Sequence, residues 1–127
     1  MLKHLYISNF TLIDELDITF SSGFSVITGE TGAGKSIIIG AVGMLLGNRA
    51  DVKMIKSGKD KCVVEAIFSI SDYDSDFIDR FLEDSNLDSN GSECILRREI
   101  NTNGKNRAFI NDTPVTLSTL KSLGEHL

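Results

Sequence analysis

The chain has 127 residues, 41% of them apolar, enough for one domain with a real core. No apolar run reaches the ~18–20 residues of a membrane span, since the longest, Ile37 to Leu46, is broken by Gly40 and Gly43. A net charge of −5, with the acids gathered between Ser71 and Glu93, argues against a free-standing DNA binder, whose affinity would come mainly from Lys and Arg.

Leu2 to Phe10 alternates loosely, and Leu12 to Phe20 alternates better, with Leu12, Asp14, Leu16, Ile18 and Phe20 on one parity. Both are predicted strands and antiparallel neighbours. The opening residues lack a continuous apolar stretch and a small-residue cleavage site, so no signal peptide is expected and the protein is expected in the cytoplasm. Ser21 to Gly23 is a predicted turn. Phe24 to Thr28 is a short apolar strand running straight into a glycine-rich loop. Ser36 to Leu46 then reads as a helix, stopped by Gly47-Asn48.

Asp51 to Lys61 is polar and irregular, and Cys62 to Ile70 alternates as a strand. Asp74 to Glu83 is a short amphipathic helix whose Phe77, Ile78, Phe81 and Leu82 are expected to pack in the core. Glu93 to Asn101 and Lys105 to Asn111 form a predicted hairpin around Thr102-Asn103-Gly104, because Asn-Gly suits the positive φ angles of a tight hairpin turn. Pro114 has no N–H to give a sheet, so the strand is expected to end near it. From Thr116 onward Leu117, Leu120, Leu123, Gly124 and Leu127 make a helical stripe. Cys62 and Cys94 have neither a CxxC partner nor a histidine cluster, so they read as reduced thiols in strands, with no metal site. His4 and His126 read as structural or surface residues.

The chemistry sits in Gly29-Glu-Thr-Gly-Ala-Gly-Lys35-Ser36, which matches GxxxxGK[ST], the P-loop or Walker A pattern. An apolar strand precedes it and a helix follows. Gly29, Gly32 and Gly34 allow backbone conformations that a Cβ would oppose, and let the chain approach phosphates closely. The N–H groups from Thr31 to Ser36 then point inward as an anion nest. The helix is expected to begin at Lys35–Ser36, so its positive end also faces the phosphates. Lys35 supplies a point charge for the β- and γ-phosphates, and Ser36 a hydroxyl for Mg²⁺. The expected ligands are ATP and Mg²⁺, held by Glu30, Thr31, Gly32, Ala33, Gly34, Lys35, Ser36 and Ile37, with Ser36 on the metal.

Kinases of small molecules, GTPases and ABC-type ATPases all carry this loop. Two features favour the ABC type: the 28 residues before Gly29 hold antiparallel strand patterns, and the chain returns to such strands after the loop's helix. A small-molecule or nucleotide kinase is the alternative reading, and it would need an acceptor pocket and an arginine-rich lid that the sequence does not present. A non-enzymatic nucleotide-sensing module is a third.

Several segments together resemble the SMC-like branch of the ABC-type ATPases, in its bacterial DNA-repair form. Met1 to Phe10, ending Ile7-Ser-Asn-Phe10, is similar to the opening strand of that family. The P-loop with its Glu30-Thr31, the segment Leu45-Leu-Gly-Asn-Arg-Ala-Asp51, the run Leu96 to Ile100, then Arg107-Ala-Phe-Ile-Asn111 and Thr113 to Leu117 carry the rest of the likeness. The resemblance implies a mixed α/β fold: a P-loop NTPase lobe with a largely antiparallel N-terminal sheet, one P-loop strand–helix unit, and flanking hairpin and helices. It implies that residues 1–127 are the N-terminal lobe of an incomplete head, with coiled coil, signature motif and Walker B Asp-Glu pair lying elsewhere in a longer protein. No catalytic residue is then expected in this chain. The implied partners are ATP, the C-terminal half-head of the same protein, a second head joined by ATP-dependent dimerisation, and DNA through the full-length protein, with no membrane. The implied role is double-strand break repair and recombination.

Arg49 lies where such heads carry an arginine near nucleotide or DNA, and reads equally as a solvated helix-end charge. Ser8 and Asn9 lie where the opening strand passes the base; a strand-end cap is the favoured reading, a base or ribose contact the alternative. Arg97, Arg98, Lys105 and Arg107 are read as solvated strand charges, with DNA contact the alternative. Alternation puts Arg97 and Arg98 on opposite sides, so all four are not expected in one patch.

Overall fold

Strands β1 (Leu2–Phe10) and β2 (Ile13–Thr19) pair antiparallel as the alternation predicts, with Leu5 opposite Ile18 and Ile7 opposite Leu16. The computed structural model describes residues 2–19, 32–48, 52–70, 75–87 and 91–125, with 32–37 and 75 as backbone only. The predicted turn at 21–23 and strand at 24–28 lie outside these residues. The elements that follow β2 are α1 (Gly32–Leu45), a 3₁₀ turn (Val52–Met54), β3 (Lys61–Ser69), α2 (Ser75–Asp84), β4 (Glu93–Asn101), β5 (Asn106–Ile110), β6 (Thr113–Val115) and α3 (Leu117–Gly124).

Among the described residues all pairings are antiparallel, and their six strands form a sheet in the order β2-β1-β3-β4-β5-β6. On β3 the even positions Cys62, Val64, Ala66 and Phe68 are buried, and on β4 Cys94, Leu96, Arg98 and Ile100. This strict period of two presents one sheet face to the helices. Leu5 and Ile7 of β1, Ala41, Met44 and Leu45 of α1, Ile78 and Leu82 of α2, and Leu120 and Leu123 of α3 complete one core. No helix of the described residues is long and apolar enough to cross a membrane.

Three expectations change. Leu12 does not share the core parity of β2; it is 84% exposed in a two-residue turn closed by the Phe10–Ile13 pair. The positive φ angles of Asn9 (54°) and Thr11 (50°) disturb the pleat there, and parity does not carry through a turn. Phe77 is half exposed, although its ring lies 6.5 Å from that of Phe81. The buried stripe of α2 is carried by Ile78 and Leu82, with Phe81 half-buried beside it. Finally, the sheet continues past Asn111. Asn111 and Asp112 have φ of 48° and 67°, the backbone of a two-residue I′-type hairpin turn, and β6 follows with Pro114 opposite Phe109. Proline is tolerated because β6 is an edge strand.

Helix α3 starts at an N-cap: Thr116 accepts from the Thr119 N–H at 3.1 Å. Its Leu120, Leu123 and Gly124 are buried, whereas Leu117 is 40% exposed.

Candidate phosphate-binding site

The glycine-rich loop and the helix after it overlap more than expected. Helix α1 begins at Gly32, four residues before the predicted start at Ser36, so Gly32-Ala-Gly-Lys35 forms its first turn. Helical dihedrals are open to all four residues, and two glycines cost least where a helix frays. The first four N–H groups of any α-helix lack a partner inside it, and the dipole places partial positive charge there. The first turn of α1 carries no acidic residue to compete for these donors. A phosphate fits that chemistry. Gly29, Glu30 and Thr31 lie outside the described residues, and so does Arg49.

The opposite end of α1 is closed by its own backbone. Gly47, at φ 103°, donates to Met44 O at 3.2 Å, and Asn48 donates to Gly43 O at 2.9 Å, the two bonds of a Schellman cap. Gly47 is required twice over. Its φ suits only glycine well, and a Cβ would lie 2.8 Å from the Lys121 Cα on α3. The C-terminal ends of α1 and α3 therefore touch at backbone range.

Ser8 and Asn9 serve the sheet. Asn9, in left-handed backbone, donates from Nδ2 to Lys61 O at 3.1 Å, and its carbonyl accepts from the Lys56 N–H at 2.8 Å. The same stitch is extended by the Thr11 N–H, which donates to Met54 O at 2.7 Å, and by the bridge of Phe10 to Ile55. Asn9 thus ties the end of β1 to the segment leading into β3. Ser8 pairs between Glu15 and Val63.

The basic residues of the hairpin separate into three kinds, and the expectation of solvated charges fails for two of them. Arg97 lies on the face away from the core. It approaches Glu99 at 3.2 Å, Asp112 at 3.0 Å and Glu65 at 3.7 Å, and its guanidinium sits 4.3 Å from the Phe109 ring centroid. Neutralised by three acids, Arg97 is a poor DNA contact. Arg98 is fully buried, held by Met44 O at 2.8 Å, Asn48 O at 3.1 Å and Asn106 Oδ1 at 2.8 Å. Lys105 and Arg107 are exposed, as expected. The signal for Arg98 was its shared parity with Cys94, Leu96 and Ile100; its charge masked it.

Burial pushes the thiols of Cys62 and Cys94 up to about 11, so both stay protonated and unreactive near neutral pH. Among the described residues no group of three His, Cys, Asp or Glu side chains is placed to hold a metal. His4 pairs with Asp17 across β1 and β2, a structural contact as expected. His126 lies outside the described residues.

Residues 4–126 match the AAA domain family. The chain belongs to that family. Across its whole length it is 49% identical to the DNA repair protein RecN of Vibrio cholerae, over 128 residues, and spans 22% of that relative. The fold matches the SMC head domain from Thermotoga maritima with a TM-score of 0.71, at 27% identity, covering 96% of this chain and 41% of that one. It also matches a chain from structural work on the ATP-driven dimerization and DNA-stimulated activation of SMC ATPases, with a TM-score of 0.72 at 22% identity, covering 95% of this chain and 75% of that one. The chain is thus RecN-like in sequence and has the fold of part of an SMC head domain, the mixed α/β fold with an antiparallel sheet that the sequence resemblance implies.

Proposed function

We propose that residues 1–127 form the ATP-binding lobe of a RecN-like SMC/ABC-type ATPase acting in DNA double-strand break repair and recombination. The observation that carries this reading is the start of α1 at Gly32, inside the Gly29–Ser36 pattern. That overlap supports a phosphate site whose donors are the free N–H groups of the first turn. Lys35 neutralises charge on the β- and γ-phosphates. Glu30, Thr31, Ala33 and Ile37 complete the set of candidate nucleotide contacts, and Arg49, Ser8 and Asn9 are secondary candidates, Asn9 less so because its Nδ2 already serves Lys61 O. Ser36 would hold Mg²⁺, which offsets phosphate charge when bound.

The relative's name supports the repair role, and the likeness to SMC ATPases with ATP-driven dimerization and DNA-stimulated activation supports ATP-dependent pairing with a second head and action on DNA; a C-terminal half-head in the same polypeptide completes the proposed partners. A cytoplasmic, nucleoid-associated location follows from that role.

Calorimetry with and without Mg²⁺ tests the metal assignment. Mg²⁺ is expected to tighten ATP binding by the parent chain, and Ser36→Ala is expected to lose most of that gain. A mutant that gains as much from Mg²⁺ as the parent would remove Ser36 from the metal and weaken the P-loop reading.

A further inference from the structure

Arg98 is the one buried charged residue among those described, and no carboxylate there pairs with it. Its three hydrogen bonds go to neutral acceptors, two backbone carbonyls and one side-chain amide, and its Nε has no hydrogen-bond partner. Burial draws its pKa below the usual arginine range. Neighbours Leu96 and Ile100 show that this row of β4 takes apolar side chains readily. A buried cation held, among the described residues, by neutral groups is a costly way to fill such a position. Its presence there calls for a reason other than packing.

We propose that Arg98 is a positioning residue for the phosphate-binding loop: it anchors the C-terminal end of α1, and so fixes where the other end of α1 presents Gly29–Ser36. The inference rests on the reading of that loop as the phosphate site.

The geometry supplies the anchor. Met44 O and Asn48 O are carbonyls at the negative end of α1, where a cation is favoured. The rigid planar guanidinium joins them to Asn106 at the start of β5, so one group ties α1 to both strands of the β4–β5 hairpin. The backbone-range contacts are at the same end: Gly47 against Lys121, and Gly124 against Leu46, whose Cα a Cβ would approach to 3.0 Å. The rest of α1 is weakly helical by composition, with Gly32, Gly34, Gly40 and Gly43 in its 14 residues. A helix of this length is a rod of about 21 Å. Packed on the core from Ile38 to Leu45 and tied by Arg98 at its C-terminal end, it sets the place of its first turn. A shift of about 1 Å at a ligating group costs heavily in any phosphate site.

The test compares Arg98→Met and Arg98→Lys with the parent, in the full-length polypeptide. Two readouts are taken: Mg-ATP affinity by calorimetry, and amide hydrogen exchange across residues 32–37 without nucleotide. Arg98→Met keeps an unbranched apolar stem and removes the buried charge, so its melting midpoint is expected near the parent's. It is nonetheless expected to bind Mg-ATP about tenfold more weakly and to exchange about tenfold faster at 32–37, with β1 and β3 unchanged. Arg98→Lys, which keeps the charge but not the fork, is expected to recover part of both. Parent-like affinity and parent-like exchange at 32–37 in Arg98→Met would overturn the proposal, leaving Arg98 as packing alone. Should Arg98→Met fail to fold, Asn106→Ala at the exposed start of β5 removes one of the three partners; an effect of about threefold is expected in both readouts, and none would overturn the proposal. A Lys35→Ala control separates the two ideas. If it binds as well as the parent, the phosphate-site reading fails, while exchange at 32–37 still decides whether Arg98 anchors the helix.

Discussion

Lys35→Ala is expected to weaken Mg-ATP binding by about two orders of magnitude or more, with the melting midpoint unmoved. A charge-assisted contact that is lost while its phosphate partner stays bound costs about 2–5 kcal/mol, and each 1.4 kcal/mol is about tenfold in affinity. Lys35 is the one cation inside the Gly29–Ser36 pattern. The core residues of α1, Ala41, Met44 and Leu45, lie beyond it, so stability and binding are separable. Calorimetry and thermal unfolding on the two proteins check this. Equal affinities would withdraw the P-loop assignment.

The second large effect concerns turnover. The 127-residue chain alone is expected to hydrolyse ATP at background rate. On the proposed reading its loop cradles phosphate and neutralises charge but offers no group that activates or positions water. In the resembled family that task falls to a Walker B glutamate, completed by the signature motif of an opposing head. The nearest approaches to a Walker B pattern in this chain are Phe68-Ser-Ile-Ser-Asp72 and Ala108-Phe-Ile-Asn-Asp112, and neither puts four apolar residues before an Asp-Glu pair. The structure gives Asp112 another place: it sits in the turn before β6, bound to Arg97 at 3.0 Å. Loss of a general base costs a factor of about 10²–10⁴, and a missing water-positioning group adds to it. A phosphate-release assay on the chain alone, then with the C-terminal part of its polypeptide added, should show turnover only in the second case. Robust release by the chain alone, abolished in Lys35→Ala, would favour the kinase alternative.

The sheet was legible where period and turn chemistry agree. The even positions of β3 and β4 declare themselves, and Asn103-Gly104 marks the hairpin that joins β4 to β5. What stayed hidden depends on partners distant in sequence. Nothing local says that β3 adds to β1 in place of its predecessor β2, or that an edge strand accommodates Pro114. Leu12 and Phe77 are apolar residues whose exposure is settled by a turn and by the edge of a helix face, not by hydropathy. The Gly29–Ser36 pattern was legible because its residue types suit phosphate chemistry, and its use as a site is the proposal. Arg98 was not, because its partners Met44 and Asn48 lie about fifty positions away along the chain. Charge predicts solvent for such a residue, and only its parity points inward.

The most direct test is to map where nucleotide touches the chain. Backbone amide resonances are assigned in the free protein and followed by two-dimensional NMR as Mg-ATP is added. The largest shifts are predicted at Gly29 to Ser36, with the amides of Gly32 to Lys35 moving most because they are the free donors of the first turn of α1. Shifts centred on the β4–β5 hairpin, or none along residues 29–36 at saturating Mg-ATP, would contradict the account.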